Sequence, residues 1–425
     1  MKKIGIALLG LGTVGGGTYR ILKSQYDSIK AHYGIDIEIR HILEKDMSKV
    51  AALGIDPKLV SCDINNILND SKISIVAEFF GGIEPARSFL IQALEAGKSI
   101  VTANKEMFSK HWAELEAAAS KTGAGLYFEA SCVGGVPIIR ALQESCQGNT
   151  ITCLKGIVNG TTNYILTQMS DNGESYADAL REAQRLGYAE ADPTADVDGY
   201  DSSYKLSILS TLAYGKRVPL SKVYCEGISK IDVDDINYGK RFGLTIKLLA
   251  ISKIVDGKVE AHVYPAFIPN EHPLSSVKGS FNAVYVTGDN VGDLMFYGRG
   301  AGDLPTGSAI VSDIVFAATR EKHRRFPYAL EQNISDKDFN ANFTCEYFIR
   351  LNVVDSVGVL SKISGLFAQN GISITTMYQQ ADKNGVCELI FITHLTNEAA
   401  LRAAIENIKQ LDCIAGINSV IRVEK

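Results

Sequence analysis

The stretch "KIGIALLGLGTVGGGTYRILKSQY", residues 3–26, decides the fold. It opens on a short apolar run, "KIGIALLG", that reads as a strand. Glycines then interrupt, after which Tyr19, Leu22 and Tyr26 recur at helical spacing. Strand, tight turn and helix therefore follow one another directly. Gly10, Gly12 and Gly15 stand at G-x-G-x-x-G spacing. The first permits the turn, the second lets backbone approach a pyrophosphate, and the third lets helix pack on strand. Such glycine turns also arise for structural reasons alone. Here the strand before, the helix after and a second strand, "IDIEIRHILEKD" at 35–46, favour dinucleotide binding.

At the end of that second strand an acidic side chain would hold a ribose hydroxyl, and a basic one would accept a 2′-phosphate. Glu44 points to the first, Arg40 and Lys45 to the second, so the reading leans to NADP and leaves NAD open. The pattern continues as strand "SIVAEFFGG", helix "EPARSFLIQALEAG" and strand "SIVTANK", the alternation of a Rossmann-type, doubly wound parallel sheet. Ligands sit at the carboxyl ends of such strands. This places "FFGG" (79–82) and Thr102 to Lys105 beside the cofactor, with Lys105 facing nicotinamide and substrate; a surface lysine opening a helix is an equal reading. In "GLYFEASCVGGVPIIRAL" (125–142), Glu129 closes an apolar strand and needs a partner. Either backbone N–H groups or a cation held by oxygens of the glycine loop would satisfy it.

The chain's 425 residues exceed what one core supports, so two or three domains are expected. A net charge of -5 gives no attraction for nucleic acid or anionic lipid. No apolar run is long enough to span a membrane, and the glycine-broken N-terminus lacks a signal cleavage site. Eight scattered cysteines without a C-x-x-C pair indicate neither zinc nor a disulfide framework and fit a reduced, cytoplasmic setting. The nucleotide-binding domain is read as 1–135, completed by 300–325, where "GRGAGDLPTGSAIVSDIVFAA" feeds a glycine loop into a returning helix. Between them, 136–299 carries alternating, aromatic strands such as "EAHVYPAFIP" and reads as an α+β substrate and dimerisation domain. A polar linker, 326–345, precedes a βαββαβ unit at 346–425, a ferredoxin-like order.

The chemistry concentrates in "AEADPTADVDGYDSSYKLSILSTLA", residues 189–213. Positions 201, 205, 208, 209 and 212 share one helical face, and Ile208, Leu209 and Leu212 mark it as the buried one. Lys205 therefore points inward and needs Asp201, one turn earlier, as its partner. Burial lowers a lysine's pKa and the carboxylate raises it, so the pair can hold a transferable proton; a structural ion pair would look the same. Glu190, Asp192, Asp196 and Asp198 crowd the same loop, and a substrate bearing an ammonium group would relieve their repulsion. Hydride transfer between a carbonyl and an alcohol on an amino acid unites these features.

The run "GYAEADPTADVDGYDSSYK" resembles the signature of homoserine dehydrogenases, and "TANK", "EASCVGGVPIIR", "NGTTNYIL" and "GAGDLPTGSA" resemble the family's other blocks. The resemblance implies reversible reduction of aspartate semialdehyde to homoserine with NADP or NAD, on the route to threonine and methionine. It makes Lys205 the proton donor, Asp201 its support, Glu190 the binder of the substrate amino group, and Lys105 the junction of cofactor and substrate. Thr13, Val14 and Gly302 would line the dinucleotide. A monovalent cation, sodium, would lie on main-chain oxygens of Glu129, Cys132, Gly134 and Val136; Cys132 adds a thiol open to oxidation. The last unit resembles an ACT domain through "VVDSVGVLSKISGLFAQNGISI", which implies a threonine effector and edge-to-edge pairing in a homodimer or homotetramer. The resemblance also implies a single-activity form. A non-catalytic NAD(P)-sensing protein with an ACT module is the alternative, against which the Asp201–Lys205 pair argues.

Overall fold

The computed structural model describes residues 2–330, 333–380 and 385–425. The opening apolar run forms β1 (Lys2–Leu9), whose last six residues are all buried. Around it stand β2 (Ile35–Leu43), β3 (Val60–Ser61), β4 (Ile73–Glu78), β5 (Ser99–Thr102) and β6 (Leu126–Tyr127). All pair parallel, in the order β3-β2-β1-β4-β5-β6. The order reverses between β1 and β4, which opens a crevice beyond their carboxyl ends.

The glycines act as their spacing requires. Gly10 turns with φ +101° and donates its N–H to the Leu43 carbonyl at 2.8 Å. A Cβ on Gly15 would lie 2.3 Å from the Gly10 carbonyl oxygen, so helix Thr13–Ser24 approaches β1 only without a side chain there. Gly17 makes a second close approach: its Cβ would meet the Asp303 carbonyl oxygen at 2.2 Å. That atom belongs to the returning helix Asp303–Thr319, whose Ile310 and Ile314 share a core with Ile6 and Leu8 of β1.

The rest of the chain builds a second sheet of eleven strands. Its strands are β7 (Ile151–Ile157), β8 (Tyr224–Cys225), β9 (Leu244–Val255), β10 (Lys258–Pro269), β11 (Phe281–Gly288), β12 (Gly292–Arg299), β13 (Thr344–Val354), β14 (Ile374–Gln380), β15 (Val386–Thr393), β16 (Thr396–Asn397) and β17 (Ile414–Val423). The path runs β12-β11-β7-β9-β10-β17-β13-β15-β14, with β8 on β10 and β16 on β13. The C-terminal βαββαβ unit contributes β17-β13-β15-β14 and is ferredoxin-like. Its edge strand β17 pairs with β10 of the same chain, Ala266 opposite Arg422 and Phe267 opposite Val423, so one sheet runs through both units.

Two sequence expectations change here. The segment expected as a polar linker, of which residues 331 and 332 lie outside the described residues, is seated on the body, because Phe326, Phe339 and Phe343 are buried and Val259 donates its N–H to the Asp338 carbonyl at 2.8 Å and accepts that of Asn340 at 2.9 Å. Its polar composition hides these aromatic anchors. Helix Tyr200–Tyr214 is buried on nearly every side rather than along one stripe, whereas Leu212 is only half-buried. It runs between helix Lys105–Thr122 and strands β7, β9 and β10, and the hydroxyls of Ser203, Ser207 and Thr211 bond to main chain, to Gly199 at 3.0 Å and to Val218 and Ser207 at 2.7 Å. Among the described residues no helix is long and apolar enough to cross a membrane.

Because Gly17 meets backbone rather than a movable side chain, Gly17→Ala is expected to lower stability by about 1–3 kcal/mol. Thermal denaturation checks this; an unchanged midpoint would show that the two helices can separate freely.

Candidate active site

A cleft of about 870 Å³ opens where the crevice of the first sheet meets the start of helix Tyr200–Tyr214 and the loop before Asp303. Asp201 and Lys205 lie one turn apart on that helix, both buried. Lys205 Nζ donates to Asp201 Oδ2 at 2.6 Å and to the Val158 carbonyl at 2.6 Å. An ammonium carries three N–H donors, so one remains uncommitted beside the cleft. Lys105 Nζ, from the helix after β5, stands 3.3 Å from Asp201 Oδ1 with 42% of its side chain exposed. Asp201 holds the Lys105 ammonium above its ordinary pKa. Burial would raise the Asp201 carboxyl, but the two ammonium groups outweigh it and hold it far below the usual range.

The acidic crowd resolves into separate tasks. Glu190, Asp196 and Asp201 line the cleft. Asp192 instead accepts the N–H of Thr194 and shapes its own turn. Asp196 is raised by burial and by the neighbouring Asp201. What keeps the two carboxylates together is a residue to which sequence reasoning gave no role: Asn159 Nδ2 donates to Asp196 Oδ1 at 2.7 Å and to Asp201 Oδ2 at 2.9 Å, while its Oδ1 accepts from Thr162 N–H and caps helix Gly160–Asn172. The Asn before "GTTN" carried the signal, as a residue type favoured at helix starts.

On the cofactor side, Thr13, Val14 and Gly302 line the same cleft. Helix Thr13–Ser24 begins with no side-chain cap and no acidic residue in its first turn, and the position of a Gly12 Cβ is open, so the glycine turn fits a dinucleotide's phosphates. Glu44 is committed elsewhere: Oε2 accepts the N–H of Leu11 at 2.7 Å, and Oε1 those of Lys45 and Asp46 at 2.8 and 2.9 Å. Arg40 is a correction. It pairs with Asp70 at 2.7 Å and Glu38 at 3.2 Å, and lines a different surface with Lys72 and Gly97. Asp70 precedes β4, so Arg40 faces the amino ends of the strands, opposite the crevice. Lys45 stays exposed after β2. Thr102 is fully buried, and its hydroxyl donates to Glu78 Oε2 at 2.5 Å, so it braces the strand ends rather than lining the cleft.

The loop at 129–136 mixes both earlier readings. The Glu129 carboxylate is capped by backbone, accepting from Ile139 at 2.8 Å and Arg140 at 2.7 Å; burial and the neighbouring Asp313 push it up to about 7. Val133 and Gly134 are consecutive left-handed residues, φ 48° and 47°. Gly134 lines the cleft, while Val136 is buried outside its lining. Cys132 is fully buried, and burial pushes its thiol up to about 12, away from the thiolate form. Among the described residues no three His, Cys, Asp or Glu side chains gather as a metal cluster.

Three family models match the chain: "Homoserine dehydrogenase, NAD binding domain" over residues 10–129, "Homoserine dehydrogenase" over 137–315 and "ACT domain" over 347–413. The homoserine dehydrogenase of Corynebacterium glutamicum is 43% identical over 429 residues, 99% of this chain and 96% of that protein. That of Bacillus subtilis is 38% identical over 431 residues, 100% and 99% of the two. A homoserine dehydrogenase structure from Thiobacillus denitrificans is similar with a TM-score of 0.93 at 40% identity, over 100% of this chain and 99% of that one. A hyperthermophilic archaeal homoserine dehydrogenase in complex with NADPH gives 0.65 at 27% identity, over 76% and 100%.

Burial pushes the fully buried Glu78 up to about 7 from an ordinary 4.5. Over that window the folded chain keeps a proton that the unfolded chain has released, so stability falls as pH rises through it. Glu78→Gln is expected to flatten the decline in melting temperature between about pH 5 and 7.5. Equal slopes in both proteins would show that Glu78 titrates normally.

Proposed function

The chain belongs to the homoserine dehydrogenase family, nicotinamide-dependent oxidoreductases acting between a semialdehyde and homoserine, and we propose how its own residues divide that work. Lys205 is the proton donor: its uncommitted N–H binds the carbonyl oxygen of L-aspartate 4-semialdehyde and passes its proton there as the alcohol forms. The observation that carries this is the pair of 2.6 Å bonds from Nζ, which fix the ammonium yet leave one donor for substrate. The nicotinamide, when bound, supplies the hydride. Asp201 stays anionic, holds Lys205 and Lys105 together, and sets two positive charges where negative charge develops on oxygen. Glu190 and Asp196 grip the substrate ammonium; the Glu190 main-chain carbonyl accepts from Gln184, but its carboxylate makes no hydrogen bond or ion pair to any described residue, which leaves it available.

Gly10, Gly12, Thr13, Val14, Gly15 and Gly302 hold the dinucleotide, with NADPH preferred. Both Glu44 oxygens are engaged by backbone N–H groups, so that carboxylate is not offered to a ribose hydroxyl, and exposed Lys45 beside it suits a 2′-phosphate. Sodium on main-chain oxygens of Glu129, Cys132, Gly134 and Val136 belongs to the proposal as well. Among the described residues the Glu129 carbonyl accepts only a long 3.4 Å bond from the Cys132 N–H, and the left-handed pair after it turns successive peptides. Threonine acting through the ACT domain completes the reading. A homodimer or tetramer is supported by the outer strand β12, where Met295 and Tyr297 are exposed.

With NADPH and aspartate semialdehyde, Lys205→Ala is expected to lose about 10² or more in kcat while binding NADPH normally. Undiminished turnover would move the proton donor elsewhere, and no turnover in the wild type would revive a sensing role. Sodium chloride in place of tetramethylammonium chloride, and added L-threonine, are each expected to raise the melting temperature, since both bind the folded chain alone. A flat response to either removes that ligand from the proposal.

A further inference from the structure

Two buried guanidinium groups join the C-terminal unit to the catalytic body: Arg350 pairs with Asp235 at 2.7 Å, and Arg422 with Glu226 on the side nearer the catalytic pair. Arg422, near the end of β17 and 5% exposed, donates to Glu226 Oε2 at 2.6 Å and to Glu398 Oε1 at 2.9 Å. Glu398 opens helix Glu398–Lys409 of the C-terminal unit; Glu226 follows β8 in the catalytic body. The rings of Tyr224 and Tyr264 lie 5.0 and 4.7 Å from the guanidinium and box it in. A buried charge shared between two carboxylates cannot loosen on one side without being answered on the other.

Beyond Glu226 the contacts are backbone on backbone. A Cβ on Gly227 would lie 2.2 Å from the Val197 carbonyl oxygen, and Ile228 donates its N–H to that same oxygen at 2.8 Å. The Cys225 thiol donates to the Asp198 carbonyl at 3.2 Å, and a Cβ on Gly199 would stand 3.1 Å from that sulfur. Gly199 is the cap, at φ +87°, of the helix that carries Asp201 and Lys205. Segment 225–228 therefore seats the turn from which the catalytic pair departs, and Asp196, one residue before that turn, is tied to Asp201 through Asn159.

We propose that Arg422 is a positioning residue for the Asp201–Lys205 pair, acting through Glu226 and the turn at Val197–Gly199. The proposal rests on the reading of Lys205 as proton donor. It makes the register of β17 on β10 a setting of the chemical step: a shift of the last strand moves Glu226, the turn and the entry of helix Tyr200–Tyr214 as one body. Small misplacements of a catalytic group are costly even when their origin is remote.

The test uses the full chain, NADPH and aspartate semialdehyde, with Glu226→Gln as the variant. The side chain is about one-third exposed and Arg422 keeps Glu398, so the protein retains its fold; its melting temperature is recorded alongside. The expected result is a kcat lower by about tenfold, an unchanged KM for NADPH, and a larger primary deuterium isotope effect with 4-deuterated NADPH. Glu398→Gln, cutting the other side of the same guanidinium, is expected to move these values in the same direction. Lys425→Ala, which removes an exposed lysine paired with Glu346 and touches neither Arg422 nor Glu226, should leave them alone. If Glu226→Gln lowers the melting temperature but leaves kcat and the isotope effect at wild-type values, Arg422 is structural and the proposal falls alone. A wild type without turnover would bring down the reading of the site and this proposal with it.

Discussion

A lysine ammonium 2.6 Å from a buried carboxylate sets the terms for everything around it. Taking two charges out of water is costly unless their remaining donors and acceptors are met. The chain meets them with the Val158 carbonyl, the Asn159 amide and the Lys105 ammonium, drawn from the end of β7 and the helix after β5. Each partner sits at an element terminus, where side chains or backbone groups are free of the regular ladder. The pair thus requires that both sheets end at one place, and the cleft is the space left between those ends.

The same demand explains why helix Tyr200–Tyr214 is so thoroughly covered. An exposed helix would admit water to the pair and weaken its field. Packing between helix Lys105–Thr122 and three strands excludes water, and Ser203, Ser207 and Thr211 are polar residues small enough to be buried with their hydroxyls turned onto main chain. Alternation of apolar and hydroxyl residues, rather than an amphipathic stripe, is what such a position produces.

Legibility in the sequence followed the range of the interaction. Gly10, Gly12 and Gly15 act within one strand-turn-helix, and Asp201 and Lys205 within one helical turn, so spacing alone located them. Arg40 misled because a basic residue late in β2 satisfies the motif in type; which end of the sheet it faces is set by Asp70, thirty residues on. Asn159 was hidden because its task depends on two carboxylates brought near only by folding. Pairing of β17 with β10 spans two residues on each strand and leaves no pattern to read. The aromatic anchors of the supposed linker were diluted among charges.

The close fit of Gly17 against Asp303 also carries a consequence for how the molecule assembles. The first sheet is made early in synthesis, yet its core takes Ile310 and Ile314 from a helix that emerges only after most of the second sheet. Contacts of such sequence separation slow folding, and the apolar surface waiting for them is exposed meanwhile. The nucleotide-binding half is thus the first to be made and among the last to close, and a nascent chain halted before that helix would present a sticky, half-covered sheet to the chaperones that meet it.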